Sequence, residues 1–182
     1  TADMDLRHPT ITIEGLEFRW DLERGGFTIA GYPCVMMFRD SSLASLLRGF
    51  VNMVGLQRFS LAMQAEGQRG VDQDWEIIAA EPSFEAGFVR LNLFAYTAGW
   101  GRWECVEVDR AARQAVFRVY DGWEGLLQRN TGVNWGAGLI AGKFTAYGTR
   151  LFGTNCWCRQ TMFVAEGDPY DEVVVEVSDR LK

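Results

Sequence analysis

One histidine, His8, and two lysines, Lys143 and Lys182, are all that 182 residues contain of either type. With its only imidazole in a polar N-terminal stretch, the body of the chain holds no Ser-His-Asp or Cys-His constellation. The usual proximal ligand for haem is missing for the same reason. No run of Lys and Arg exists, and a net charge of −6 speaks against a nucleic-acid partner, which needs a basic face to neutralise phosphates. No window of ~18 uncharged apolar residues is present to span a bilayer. Residues 139–152 come nearest, and Lys143 and Arg150 interrupt them. Residues 1–21 are polar and carry no apolar signal-peptide core, so the expected location is cytoplasmic. Four cysteines (Cys34, Cys105, Cys156 and Cys158) are too few to scaffold a chain of this length with disulfides. Gly136-x-Gly138-x-x-x-Gly142 has neither the spacing nor the preceding strand of a phosphate-cradling loop.

What the chain has in excess is rings: 7 Trp, 12 Phe and 5 Tyr make up 13% of it. Large rings fill cores and also wall apolar pockets, so the excess points to both. At 20.5 kDa and 48% hydrophobic, the chain is long enough to bury a substantial core.

Strand patterns cover residues 10–19 and 27–38, with Glu14-Gly15 and Glu23-Arg-Gly-Gly26 as turn signals. Asp40-Ser-Ser offers an N-cap to a long amphipathic helix. In it Leu43, Leu46, Leu47, Phe50, Val54 and Phe59 recur at helical spacing, up to a break at Gly67. A shorter helix is expected over residues 71–80. Pro82 suits the first turn of the next, which carries Phe84, Phe88, Leu91 and Ala95 on one face. Residues 103–109 and 114–120 read as a hairpin, 123–128 as a short helix and 134–153 as a glycine-studded apolar helix. Two strands follow, 156–165 and 170–177, joined at Glu166-Gly-Asp-Pro169. Strands grouped apart from helices predict an α+β fold, an antiparallel sheet packed with helices. The organisation expected is a strand region over residues 1–40, a candidate dimerisation arm, ahead of a main domain over 41–182. The charged ending from Glu176 to Lys182 suits a domain within a longer regulator, and it suits a complete small protein as well.

Gly138, Gly142 and Ala146 fall at i, i+4 and i+8, a bare stripe along the last helix. Each mid-helix glycine costs about 0.5–1 kcal/mol relative to alanine. Close packing offsets that cost; contact between a ligand and the bare backbone is the alternative. Cys156 and Cys158 share one face of their strand, either as small half-buried residues or as two metal ligands with Cys105 as a third. The carboxylate pairs Glu81/Glu85 and Glu104/Glu107 read as solvated surface. No catalytic residue is assigned.

Taken in order, several segments resemble the vinyl-4-reductase, or hydrocarbon-binding, domain. Gly26-Phe-Thr-Ile-Ala-Gly-Tyr-Pro33 with the helix after it resembles the amino-terminal half. Gly99-Trp-Gly-Arg-Trp-Glu-Cys-Val-Glu-Val-Asp109 resembles the start of the core hairpin, and Asp121-Gly-Trp-Glu124 the element after it. Gly138-Leu-Ile-Ala-Gly-Lys-Phe144 resembles the glycine helix, and Ala165-Glu-Gly-Asp168 the closing turn. Relatives of that family include the sensing domains of phenol- and xylene-responsive activators. More distant ones are nitric-oxide-sensing haem domains and vesicle-tethering subunits of Golgi transport.

The resemblance implies a vinyl-4-reductase-like ligand-binding fold and an apolar small molecule as ligand. It further implies a homodimer paired through residues 10–38 and a downstream signalling domain or partner. Zinc-bearing members place their ligands at positions that read Asn134, Gln160, Phe163 and Asp171 here, so no metal is expected, and no haem or other cofactor either. Phenol sensors grip the hydroxyl with a His and a Trp; Trp123 stands at the Trp position, but the helix ahead of Gly99 holds no His.

The function expected is a sensory or carrier domain enclosing an apolar ligand. Its walls would be Phe84, Phe88, Leu91, Trp100, Trp123, Trp135, Phe144 and Tyr147, with plain core packing as the alternative for each ring. Two readings compete. One is an enzyme of the vinyl-reductase type, for which no nucleotide-binding signature is present; the other is a ligand-free scaffold or adaptor.

Overall fold

A computed structural model describes residues 7–178. Contacts divide the chain into two compact units, with the division between Phe38 and Arg39. The first is an antiparallel meander of β1 (Thr10–Ile13), β2 (Leu16–Asp21), β3 (Gly26–Ile29) and β4 (Tyr32–Pro33), hydrogen-bonded in that order. Two of its turns are two-residue loops with positive φ at both positions: Glu14-Gly15 at 48° and 82°, and Ala30-Gly31 at 49° and 82°. That geometry matches the twist of the flanking strands. The two long strands expected from the sequence are therefore four short ones. Ala30 carries no left-handed signal of its own, so the second turn is invisible in the sequence, and residues 34–38 form no regular element. Alternation leaves Leu16, Phe18 and Ile29 buried and Ile11 and Ile13 exposed.

The second unit opens on one π-helical turn (Arg39–Leu43), then α1 (Ala44–Val54) and α2 (Leu56–Arg69). The single helix expected here is corrected at two glycines. Gly55, at φ 82°, splits it. Gly67 stays helical and buried in α2, where a Cβ would lie 2.2 Å from the carbonyl oxygen of Leu139. Asp40 caps nothing; its carboxylate takes Arg39 at 2.6 Å and Asn130 at 3.3 Å. Next come α3 (Asp72–Ala79) and α4 (Phe84–Thr97). The N-cap of α4 is Ser83, whose hydroxyl accepts from the amide of Ala86 at 3.2 Å, so Pro82 precedes the cap instead of opening the helix.

The remaining elements are β5 (Arg102–Asp109), β6 (Gln114–Tyr120), α5 (Trp123–Thr131), α6 (Gly138–Phe152), β7 (Cys156–Met162), a 3-10 turn (Val164–Glu166) and β8 (Asp171–Val177). The four strands form an antiparallel sheet in the order β5-β6-β8-β7. The fold is α+β.

Period-two alternation turns Ala115, Phe117 and Val119 of β6 and Val173 and Val175 of β8 into the core. Helix α6 lies on that face: a Cβ on Gly148 would meet Val175 Cγ1 at 2.5 Å. Its opposite side is pressed on α2, with Gly138 against Met63 and Ser60 and Gly142 against Gln64 and Gly67. The bare stripe of α6 thus serves close helix approach. Phe117 and Phe144 are wholly buried in this core, each worth roughly 1.5–3 kcal/mol by area. Among the described residues no helix is long and apolar enough to cross a membrane.

Candidate functional site

The site is built around the start of α6. A helix leaves its first amides without intrahelical partners, and here side chains from other elements take them. Glu124 of α5, only 1% exposed, accepts from the amides of Leu139 (3.0 Å) and Ile140 (3.1 Å) and from Trp135 Nε1 (2.9 Å). Gln128, one turn on, accepts from the amides of Trp135 (2.6 Å) and Gly136 (3.0 Å). Gln160 of β7 accepts from the amide of Ala137 at 2.7 Å. With these donors engaged, the helix start has no amides left for an anionic ligand. Burial pushes the Glu124 carboxyl up to about 7, against the three N–H groups that favour its charge, and the Asp171 carboxylate adds to the rise.

Behind this cap the sequence-predicted rings separate into groups. Phe117 and Phe144 stack with centroids 4.7 Å apart; Phe88 lies 5.2 Å from Phe117 and 6.0 Å from Phe144. Phe84 is 5.9 Å from Phe88, Tyr147 is 6.1 Å from Phe144, and Leu91 belongs to the same core. Trp103 meets Phe144 edge-on at 5.4 Å. From Trp103 the rings continue outward through Trp100 (6.2 Å) to Trp123 (5.9 Å).

Trp135 lies apart from Phe84, Phe88, Leu91, Phe144 and Tyr147. It packs with Phe59, Leu127, Ala44 and Leu47 in a second cluster, which Trp123 also packs against, because the turn ahead of α6 places it against α2 and α5. Sequence reasoning missed Phe117 and Trp103, whose signal was the inward alternation of the hairpin already recognised. It also missed Glu124 and Gln128, which share a buried stripe of α5 with Leu127 at i, i+4 and i+3.

Two polar features touch the ring series. Asp74 of α3 accepts from Tyr147 Oη and pairs with Lys143 Nζ, both at 2.5 Å, while Nζ also reaches the carbonyl of Gly70. Burial and the neighbouring Asp74 charge raise the Tyr147 phenol well above its ordinary range, so it remains a donor. The Lys143 ammonium stands 5.6 Å from the centroid of Trp100. Trp123 Nε1 is shut off from solvent and has no hydrogen-bond partner.

Solved structures of this architecture are known. The chain is similar to the phenol-responsive sensory domain of the transcription activator PoxR, determined with phenol, at a TM-score of 0.69 and 16% identity over 91% of this chain and 87% of that one. It is also similar to a trafficking protein particle complex subunit 3 from Naegleria fowleri, covalently bound to palmitic acid. There the TM-score is 0.51 with 9% identity, over 77% of this chain and 95% of that one. The likeness is one of fold. Both have vinyl-4-reductase-like folds, the fold implied by the sequence resemblance. No family model and no curated protein matches the chain by sequence.

The positions that read as metal ligands in zinc-bearing members do other work here. Asn134 donates to Glu166, and Gln160 caps Ala137. Phe163 is wholly buried, and Asp171 accepts from the amide of Val164 at 2.8 Å. Cys156 and Cys158 do face the core together, but Cys105 lies on β5, the opposite edge of the sheet. Burial pushes all three thiols up, Cys105 to about 12, which keeps them protonated. No cluster of three or more His, Cys, Asp or Glu exists among the described residues. Glu85 pairs with Arg110 and Glu104 with Arg102, at the surface.

Proposed function

We propose that this chain is a small-molecule-binding sensory or carrier domain. It encloses an apolar ligand that carries one hydrogen-bond acceptor and reports the bound state to a partner domain or protein. The observation that carries this reading is Trp123 Nε1, a buried donor without an acceptor at the end of a continuous series of rings. An unpaired buried donor costs about 1–3 kcal/mol, which an acceptor on a ligand removes. Trp100 and Trp123 then form the polar end of the site, with Phe84, Phe88, Leu91, Phe144 and Tyr147 as its apolar wall and Trp135 holding the Glu124 cap beside it.

The fold likeness to a phenol-responsive domain and to a palmitate-bearing subunit supports small apolar cargo. The rings touch one another, so a ligand enters by turning them, and Phe144 and Tyr147 carry that displacement into α6. Its effect is a population shift set by differential affinity for the two arrangements. A homodimer is part of this reading.

Titration of wild-type protein with a panel of aromatic and acyl compounds, alongside thermal melting, tests it. Trp123→Phe keeps the ring and removes the donor. It should melt at or above wild type and bind acceptor-bearing probes roughly tenfold more weakly. Phe88→Ala should weaken the whole panel. Wild-type protein that binds none of the panel, with Phe88→Ala losing about 3–5 kcal/mol of stability, would show these rings to be packed core alone.

A further inference from the structure

Lys143 is the only lysine among the described residues, and it stands within α6 at 9% exposure. Burying an ammonium is costly, and well-packed apolar residues of similar volume often replace a buried ion pair with no loss of stability. Packing therefore gives no reason for a lysine here over a methionine. Its ammonium has two acceptors, Asp74 Oδ2 at 2.5 Å and the Gly70 carbonyl at 3.2 Å, for three N–H groups. Beyond those two it faces the ring of Trp100, 5.6 Å from the centroid.

The same ring meets Trp123 edge-on at 5.9 Å. Trp100 thus borders two donors with capacity to spare, the Lys143 ammonium and the unpartnered Trp123 Nε1. Gly99 and Gly101 flank it at φ 79° and 95°, which frees its backbone to turn. A Cβ on Gly101 would lie 2.7 Å from Gly122 Cα, so the turn that carries Trp100 rests on the residue ahead of Trp123.

We propose that the ligand of the apolar ring site, the reading on which this rests, is a small organic acid. Its carboxylate takes the place of the Trp100 ring and is held by Lys143 Nζ and Trp123 Nε1, while the rings of α4 and α6 receive its apolar body. Both groups donate and neither accepts. They suit a head that only accepts, on two oxygens; a hydroxyl brings a proton that neither can take. Asp74 Oδ2, beside the ammonium, already receives Lys143 and Tyr147. A carboxylate also draws on the ammonium's charge, and charge-assisted hydrogen bonds are roughly twice as strong as neutral ones. Asp74 works against this, since its charge balances Lys143 and limits the attraction left for the ligand.

Calorimetric titration of the full chain at neutral pH tests the head group. It compares benzoate with benzamide and octanoate with octanamide, heads of one shape with and without charge. In wild type the acid should bind roughly tenfold or more tightly than its amide in at least one pair. Lys143→Met should remove that preference and leave the amides bound as before, and Lys143→Arg should keep part of it. Asp74→Asn should raise the preference several-fold, a direction that a merely structural ion pair does not produce. Trp123→Phe should weaken acid and amide alike.

Amides that bind wild type as tightly as their acids in both pairs overturn the organic-acid assignment and leave the apolar site standing. So does a preference that survives Lys143→Met or falls in Asp74→Asn. The wild-type ratio and Asp74→Asn decide the matter if Lys143→Met does not fold. Wild type that binds none of the four compounds and no other apolar probe overturns both the assignment and the site.

Discussion

Replacing the buried Glu124 by glutamine should flatten much of the pH dependence of stability. The carboxyl titrates at 4.5 by its ordinary value and at about 7 in the fold, because burial outweighs the three N–H donors. The folded chain therefore binds that proton more tightly, by roughly 3 kcal/mol. Below pH about 4.5 both states carry the proton and this stabilisation is fully present. As the pH rises the unfolded chain ionises first, so the contribution falls steadily and is gone once the pH passes about 7. Asp171, pushed up to about 6 by burial, adds a fall in the same direction that ends about one pH unit earlier.

Urea unfolding followed by tryptophan fluorescence at pH 5, 6, 7 and 8 should thus show wild type losing stability across the series. Glu124→Gln should keep only the smaller fall that Asp171 contributes, and it should be less stable than wild type at pH 5, where an amide nitrogen now faces the Ile140 amide. Wild-type stability that is level or rises from pH 5 to 8 would refute the argument. So would an unchanged slope in Glu124→Gln.

Gly142→Ala and Gly67→Ala should each cost about 1–3 kcal/mol in chemical denaturation, since each Cβ would meet a carbonyl oxygen at 2.2 Å. The double variant should cost less than the sum, because the first substitution already moves α2 and α6 apart at the same crossing. Elemental analysis of protein expressed with added zinc should return none in stoichiometric amount. Zinc retained against a strong chelator would implicate Cys156 and Cys158 or reassign the positions held by Asn134, Gln160, Phe163 and Asp171.

Much of the architecture was legible because apolar spacing reports which side of an element is covered. The stripe Phe84, Phe88, Leu91 and Ala95 is buried as its spacing predicts, and the hairpin before α5 forms over nearly the expected residues. Glycines were not legible in the same way. Gly55 and Gly67 look alike in sequence, yet one breaks a helix and the other lies under α6; the difference is what stands opposite, which local sequence does not encode. The ring set of α4 and α6 was readable from period, whereas Trp135 lies in a turn whose direction depends on Glu124 and Gln128. Those two belong to a class of residue that is mostly solvated, and only their place in the Leu127 stripe marked them as buried.

The first turn of α6 is finished by groups it does not own: Glu124 lies in α5 and Gln160 in β7. Such a helix end gains little from local propensity and orders only as those elements dock. Its amides are then reporters of assembly. In hydrogen exchange, Leu139 and Ile140 should keep pace with the most protected residues of the sheet and not with an ordinary fraying helix terminus. Any event that loosens α5 will be visible first as faster exchange at those two positions.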